Sequence, residues 1–142
     1  RAKQLYHWMH VKLAESLDEC TNLPKSLKEK LSEYSTYTSL KTVKMLESGI
    51  DGTRKYLFGL DDGNVIESVL MKYHHGNSVC ISSQVGCRMG CRFCASTLDG
   101  LTRNLRPSEM LDQIYRIQRS MGERVSNVVS WEVVSRWITT TT

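Results

Sequence analysis

An α/β fold, with a helical unit first, a small antiparallel sheet next and a βαβ unit last, is predicted by three observations along the 142 residues. Apolar residues recur at helical spacing as far as Tyr34. From Ser39 the period shortens to that of strands, and turn signals separate the runs. Beyond Ser78 a strand, a loop, a helix and a second strand follow one another, the order of a βαβ unit with parallel strands.

Ala2, Leu5, Tyr6, Met9, Val11 and Leu13 predict an amphipathic helix over residues 1 to about 16. His7 and His10 ride on it as surface residues, and Cys20 reads as a small packed residue in the link that follows. Pro24 suits the first turn of a second helix, with Leu27 and Leu31 inward, ending near Tyr34. Strands are expected at Leu40–Leu46, Arg54–Leu60, Val65–Tyr73 and Ser78–Ser82, with turns at Asp51-Gly52, Asp61 to Asn64 and His75 to Asn77. Pro107 opens a helix striped by Met110, Leu111, Ile114, Tyr115 and Ile117, which Gly122 ends. Arg106 stands where a Ser or Thr cap would be expected, a poor choice for that helix start. Ser126–Val129 begins the last strand. The domains expected are therefore 1–35 (helical), 36–77 (β-extension) and 78–129 (βαβ).

A composition 40% hydrophobic and 24% charged is that of a globular domain, and net charge +4 leans toward an acidic partner such as RNA. No apolar run approaches the roughly 18 to 20 residues of a membrane span, so a cytoplasmic protein with no membrane partner is expected. The sequence opens on Arg1 in mid-helix pattern, so it is expected to lack its natural N-terminus.

Four of the five cysteines fall within Cys80 to Cys94, and Cys87, Cys91 and Cys94 stand in a C-x3-C-x2-C spacing with glycine between the first two. In a reducing compartment such clustering reads as metal binding or thiol chemistry rather than disulfides. One loop can wrap three thiolates around one inorganic centre and leave a coordination position open. Structural zinc wants four ligands, and the fourth would have to be Cys80 or distant Cys20. An iron-sulfur cluster accepts three cysteines when something else takes the last iron, and it is the expected occupant.

The C-x3-C-x2-C run with Phe93 before its last cysteine resembles the radical S-adenosylmethionine enzymes. Three longer stretches, Asp62 to Met71, Val79 to Cys87 and Gly100 to Leu105, resemble the bacterial dual-specificity RNA methyltransferases that modify adenosine C2 in 23S rRNA and tRNA. The resemblance covers residues 1 to 129. It implies that the βαβ unit is the first portion of a partial TIM-like barrel. Cys87, Cys91 and Cys94 would bind a [4Fe-4S] cluster whose unique iron takes S-adenosylmethionine, the source of a 5′-deoxyadenosyl radical, and Phe93 would lie at the cofactor. Cys80 would help release a covalent RNA intermediate by removing a proton, and Glu67 would be a proton acceptor; read from the residues alone, Glu67 is a solvent-facing strand carboxylate. Arg88, Arg92, Arg103 and Arg106 suit a mouth that admits RNA or, equally, a solvated surface. The partners implied are 23S rRNA and tRNA and an electron donor such as flavodoxin, and the protein is expected to be a monomer. Two rival readings are the related family that methylates adenine C8, and a non-enzymatic iron-sulfur or zinc protein that binds RNA.

After Val129 the family continues with Met-Gly-x-Gly-Glu-Pro-Leu, whereas this chain reads Ser130-Trp131-Glu132-Val133-Val134 and ends in four threonines. One admissible set of codons for residues 130–142, regrouped after its first two bases, reads Met-Gly-Ser-Gly-Glu-Pro-Leu. Residues 130–142 are therefore expected to be out-of-frame text after a lost base. The family's methyl-carrying cysteine lies near the far C-terminus, so the chain is expected to be an N-terminal fragment, inactive by itself.

Overall fold

The computed structural model describes residues 1–37 and 40–131, so most of the expected out-of-frame tail, from Glu132 on, lies outside the described residues. The chain divides into two compact units, Arg1–Ser39 and Leu40–Thr142.

The first unit holds α1 (Ala2–His10) and α2 (Lys25–Tyr34), with a 3-10 turn at Leu17–Glu19 between them. α1 is shorter than its apolar pattern suggests. The chain leaves the helix at Val11, Leu13 takes a left-handed backbone (φ 55°), and the Ala14 amide returns to the Trp8 carbonyl at 3.0 Å. The reason is burial: the turn drops Ala14 onto Cys20 and Leu23, with Leu5, Trp8 and Leu27 around them. Cys20 is fully buried there, which pushes its thiol pKa up, as desolvation of a thiolate requires. The Trp8 indole donates to Asn22 Oδ1 at 2.6 Å, and Lys12 lies 4.0 Å over the indole ring.

The second unit is built on a five-stranded mixed sheet. Its strands are β1 (Lys41–Glu47), β2 (Arg54–Gly59), β3 (Val65–Tyr73), β4 (Gly76–Ser82) and β7 (Val125–Trp131), in the order β1-β2-β3-β4-β7. Hairpins make the first three pairings antiparallel, whereas β7 joins β4 in parallel, as the βαβ reading expected. A parallel neighbour needs a crossover, supplied by α3 (Pro107–Met121), which Gly122 ends in a left-handed conformation. One sheet thus runs through both the 36–77 and the 78–129 ranges, and β7 carries on through Ser130 and Trp131.

Alternation along β3 sorts the two faces of the sheet. Ile66, Ser68 and Leu70 are buried, while Val65 and Glu67 are exposed. Ile66, Leu70, Val79, Ile81, Tyr56 and Phe58 form the core with Ile117 of α3, and Met110, Ile114 and Met121 pack at its margin. Phe58, Leu70, Val79 and Ile117 have no exposed surface; burying each is worth about 1.5–3 kcal/mol.

Two short strands were not anticipated: β5 (Gln84–Gly86) and β6 (Leu101–Asn104) pair antiparallel. They are the stems of a hairpin whose loop carries Cys87, Cys91 and Cys94.

A hairpin that carries the cysteines

The loop is closed at its base by the Cys87 amide donating to the Gly100 carbonyl at 3.0 Å. Within it the Cys94 amide reaches the Cys91 carbonyl at 3.1 Å. The Thr97 hydroxyl donates to the carbonyls of both Cys91 (3.1 Å) and Cys94 (2.9 Å), tying the second and third cysteines to one side chain. Cys87 is buried, Cys94 half-buried and Cys91 exposed. Phe93, expected at the cofactor, is 95% exposed. Among the described residues no three His, Cys, Asp or Glu side chains converge into a metal cage. What suits a cluster is the donor set itself: three soft thiols on one short loop, whose backbone is already folded on itself by Thr97.

Two other candidate residues lie beside this hairpin on the sheet. β3 and β4 pair Val69 with Cys80, and cross-strand partners point their side chains to the same face. Glu67, two residues before Val69, belongs to that face too. Cys80 and Glu67 therefore share the face opposite the one covered by Ile66, Leu70 and α3. Glu67 Oε2 is 2.8 Å from Lys55 Nζ, and the pair is about half exposed. The Ser82 hydroxyl donates to the Glu67 carbonyl at 2.8 Å, joining that residue's backbone to the end of β4. A cavity of about 230 Å³ opens here, lined by Glu67, Ser82, Gln84 and Gly86 on one side and by Ala95 and Ser96 of the cysteine loop on the other. The fold thus brings Glu67 and the loop to one cavity; Cys80, buried in β4, is not among its lining residues.

Arg103 has a role other than a basic mouth. From β6 its guanidinium reaches Asp62 Oδ2 at 2.6 Å and takes both carboxylate oxygens of Glu109 at 2.9 and 2.8 Å. Glu109 also accepts the Arg106 amide at 2.7 Å. The start of α3 is thus capped by its third residue, which is why a poor residue at the cap position is tolerated. The Arg103 hydrogen bond, with a lesser backbone bond from Asn64, holds Asp62 down from its ordinary 3.8 to about 2, and Arg103 lowers Glu109 as well; Arg103 itself is raised by Glu109 and Asp62. Carboxylates depressed in the folded state contribute stability that is complete above their unfolded values and fades as pH falls through the folded ones. The stability gap between wild type and Arg103→Gln should therefore be full at pH 7 and shrink between about pH 4 and pH 2. Urea midpoints at pH 7 and pH 3 check this; an equal gap at both would refute it.

The architecture and the cysteine hairpin define a class, and the comparisons agree with it. The fold is similar to the crystal structure of a radical SAM methyltransferase from Sphaerobacter thermophilus, with TM-score 0.85 and 39% sequence identity over 99% of this chain and 43% of that one. Within that class, residues 1–36 match the ribosomal RNA large subunit methyltransferase N-terminal domain. The chain is also similar to proteins named probable dual-specificity RNA methyltransferase RlmN. It is 73% identical over 129 residues to that of Lachnospira eligens, covering 91% of this chain and 37% of the relative. It is 66% identical over 129 residues to that of Lachnoclostridium phytofermentans, covering 91% and 36%. The family resemblance drawn from the motifs is borne out, and the chain spans little more than a third of these relatives' length.

Proposed function

We propose that the protein to which this chain belongs methylates C2 of adenosine in 23S rRNA and tRNA, and that Cys87, Cys91 and Cys94 hold its [4Fe-4S] cluster. The observation that carries the reading is the combination of an intact three-cysteine hairpin with 73% identity to a named RNA methyltransferase. On this reading β4, α3 and β7, the βαβ unit, begin a partial TIM-like barrel. The cluster with S-adenosylmethionine supplies one-electron chemistry that can functionalise adenine C2, an sp2 carbon with no nucleophilic character of its own.

The residues of this chain then have distinct tasks. The cysteine loop, which shares a cavity with Glu67, would hold the cluster, and Phe93, exposed on that loop, would lie at the cofactor. Glu67, with Oε2 paired to Lys55 and its backbone carbonyl held by the Ser82 hydroxyl, would offer its carboxylate as a proton acceptor. Cys80, on the same face, offers Sγ for the proton whose removal releases the product. Flavodoxin is the kind of reductant the chemistry needs. The assignment to the cytoplasm and to a monomer rests on the family, alongside the finding that among the described residues no helix is long and apolar enough to cross a membrane.

Anaerobic reconstitution with iron and sulfide tests the cluster. A [4Fe-4S] absorption band, and a reduced-state EPR signal that S-adenosylmethionine perturbs, are expected; a colourless protein holding one zinc would sink the proposal. Mapping the methyl group on rRNA treated with the whole protein separates C2 from C8.

A further inference from the structure

The inward face of α3 is unusual for a helix lying on an apolar core. Of its five buried residues, Glu109, Asp112, Gln113, Arg116 and Ile117, four are polar. Gln113 has no exposed surface at all, and a buried carboxamide is costly unless its hydrogen-bonding groups are satisfied. Its oxygen accepts from the Ser68 hydroxyl at 2.7 Å and the Ser82 amide at 2.9 Å. Its nitrogen donates to the Ser82 carbonyl at 3.0 Å and the Glu109 carbonyl at 3.3 Å. A single side chain therefore holds both backbone groups of Ser82, the last residue of β4.

That residue sits where the β3–β4 register has run out, since the last paired residues are Val69 and Cys80. From there the chain turns into β5 and the cysteine loop, and the Leu105 amide returns to the Ser83 carbonyl at 2.9 Å. One helical turn before Gln113, Glu109 holds the other stem of the hairpin through Arg103. The first two turns of α3 thus fasten both stems, Gln113 at the entry to β5 and Glu109 at β6. An apolar side chain of similar size could fill the Gln113 site but could not fix the strand end, because van der Waals packing is not directional.

We propose that Gln113, with Glu109 as its counterpart, is a positioning residue for the cysteine hairpin: it fixes the end of β4 and so sets where the cluster-bearing loop stands relative to Glu67. The proposal rests on the reading of Cys87, Cys91 and Cys94 as cluster ligands, but its test does not depend on it. Amide hydrogen exchange on the 142-residue chain reads the hairpin directly. In Gln113→Leu the amides of Ser82, Cys87 and Leu105 should exchange at least about tenfold faster, while those of β1 and β2, with which Gln113 makes no hydrogen bond, keep their wild-type rates. Iron bound on reconstitution should fall by more than half.

Unchanged exchange at Cys87 and Leu105 would overturn the proposal, and so would equal acceleration across the whole sheet, which marks Gln113 as a core residue only. If Gln113→Leu does not fold, Gln113→Met combined with Ser68→Ala matches the length of glutamine and removes the hydroxyl that would otherwise be left without its acceptor. It should still loosen Cys87 and Leu105 selectively, and failure to do so counts against the proposal in the same way. A wild-type chain that takes up no iron would remove the proposed function yet leave the exchange result to decide the role of Gln113.

Discussion

Gly86→Ala is expected to destabilise the second unit by about 3 kcal/mol and to open the base of the cysteine hairpin. Gly86 is the last residue of β5 and has φ of 72°, a left-handed conformation that costs a residue bearing a Cβ on the order of 1–3 kcal/mol. The Cβ would, in addition, sit inside the van der Waals envelope of the Gly100 carbonyl oxygen. That oxygen accepts the Cys87 amide, so the two stems cannot separate to relieve the overlap without losing the bond that closes the loop. The loss of that hydrogen bond adds about 1 kcal/mol. Thermal or urea unfolding measures the cost, and exchange of the Cys87 amide shows whether the damage is where the geometry places it. A destabilisation below about 1 kcal/mol with Cys87 still protected would contradict this account of the hairpin base.

The parts of the fold legible in the sequence were those in which one residue's neighbours along the chain decide its state. α3 runs from Pro107 to Met121 as the helix signals indicated, and β3 occupies Val65–Tyr73 because its boundaries are turn residues. β5 and β6 were not legible, because three and four residues carry too little alternation and their pairing spans the entire cysteine loop. α1 misled in another way: Val11 and Leu13 continue the helical period, yet the chain gains more by turning Ala14 onto Cys20 and Leu23. In α3 the apolar stripe included Leu111, which is 42% exposed, and passed over Gln113, which is fully buried. Polarity alone assigns a glutamine to solvent. Only the partners at Ser68 and Ser82, far away in sequence, make its burial favourable.

The candidate site divides along the same line. Cysteine spacing is local and could be read directly. The shared sheet face of Glu67 and Cys80 depends on the β3–β4 register, for which the hairpin at His75 to Asn77 was only a hint. Arg103 was grouped with Arg88, Arg92 and Arg106 because the sequence shows a charge but not its partners. Asp62 lies on the turn between β2 and β3, and only the folded chain sets it against the hairpin. The unpaired basic surface is accordingly smaller than the four arginines suggest.

The largest effect of all is expected from the loop cysteines. Changing Cys87, Cys91 or Cys94 singly to Ser should lower iron incorporation at least about tenfold and erase the [4Fe-4S] signal, because a hydroxyl is a hard, weakly acidic ligand where iron-sulfur chemistry wants a thiolate. The three changes should be equivalent in this readout despite their unequal burial in the chain. Cys80→Ser and Cys20→Ser are the informative companions. Cys80 is buried in β4 and Cys20 in the first unit's own core, so both should leave iron content as it was. Zinc makes the opposite demand: with only three cysteines in the loop it needs a fourth ligand, for which Cys80 is the nearer candidate in sequence. If Cys80→Ser abolishes metal binding along with the other three, the site is a four-cysteine metal centre, and Cys80 cannot be the free thiol that the methyl-transfer reading requires. If only the three loop cysteines matter, Cys80 stays available for chemistry on the face that it shares with Glu67.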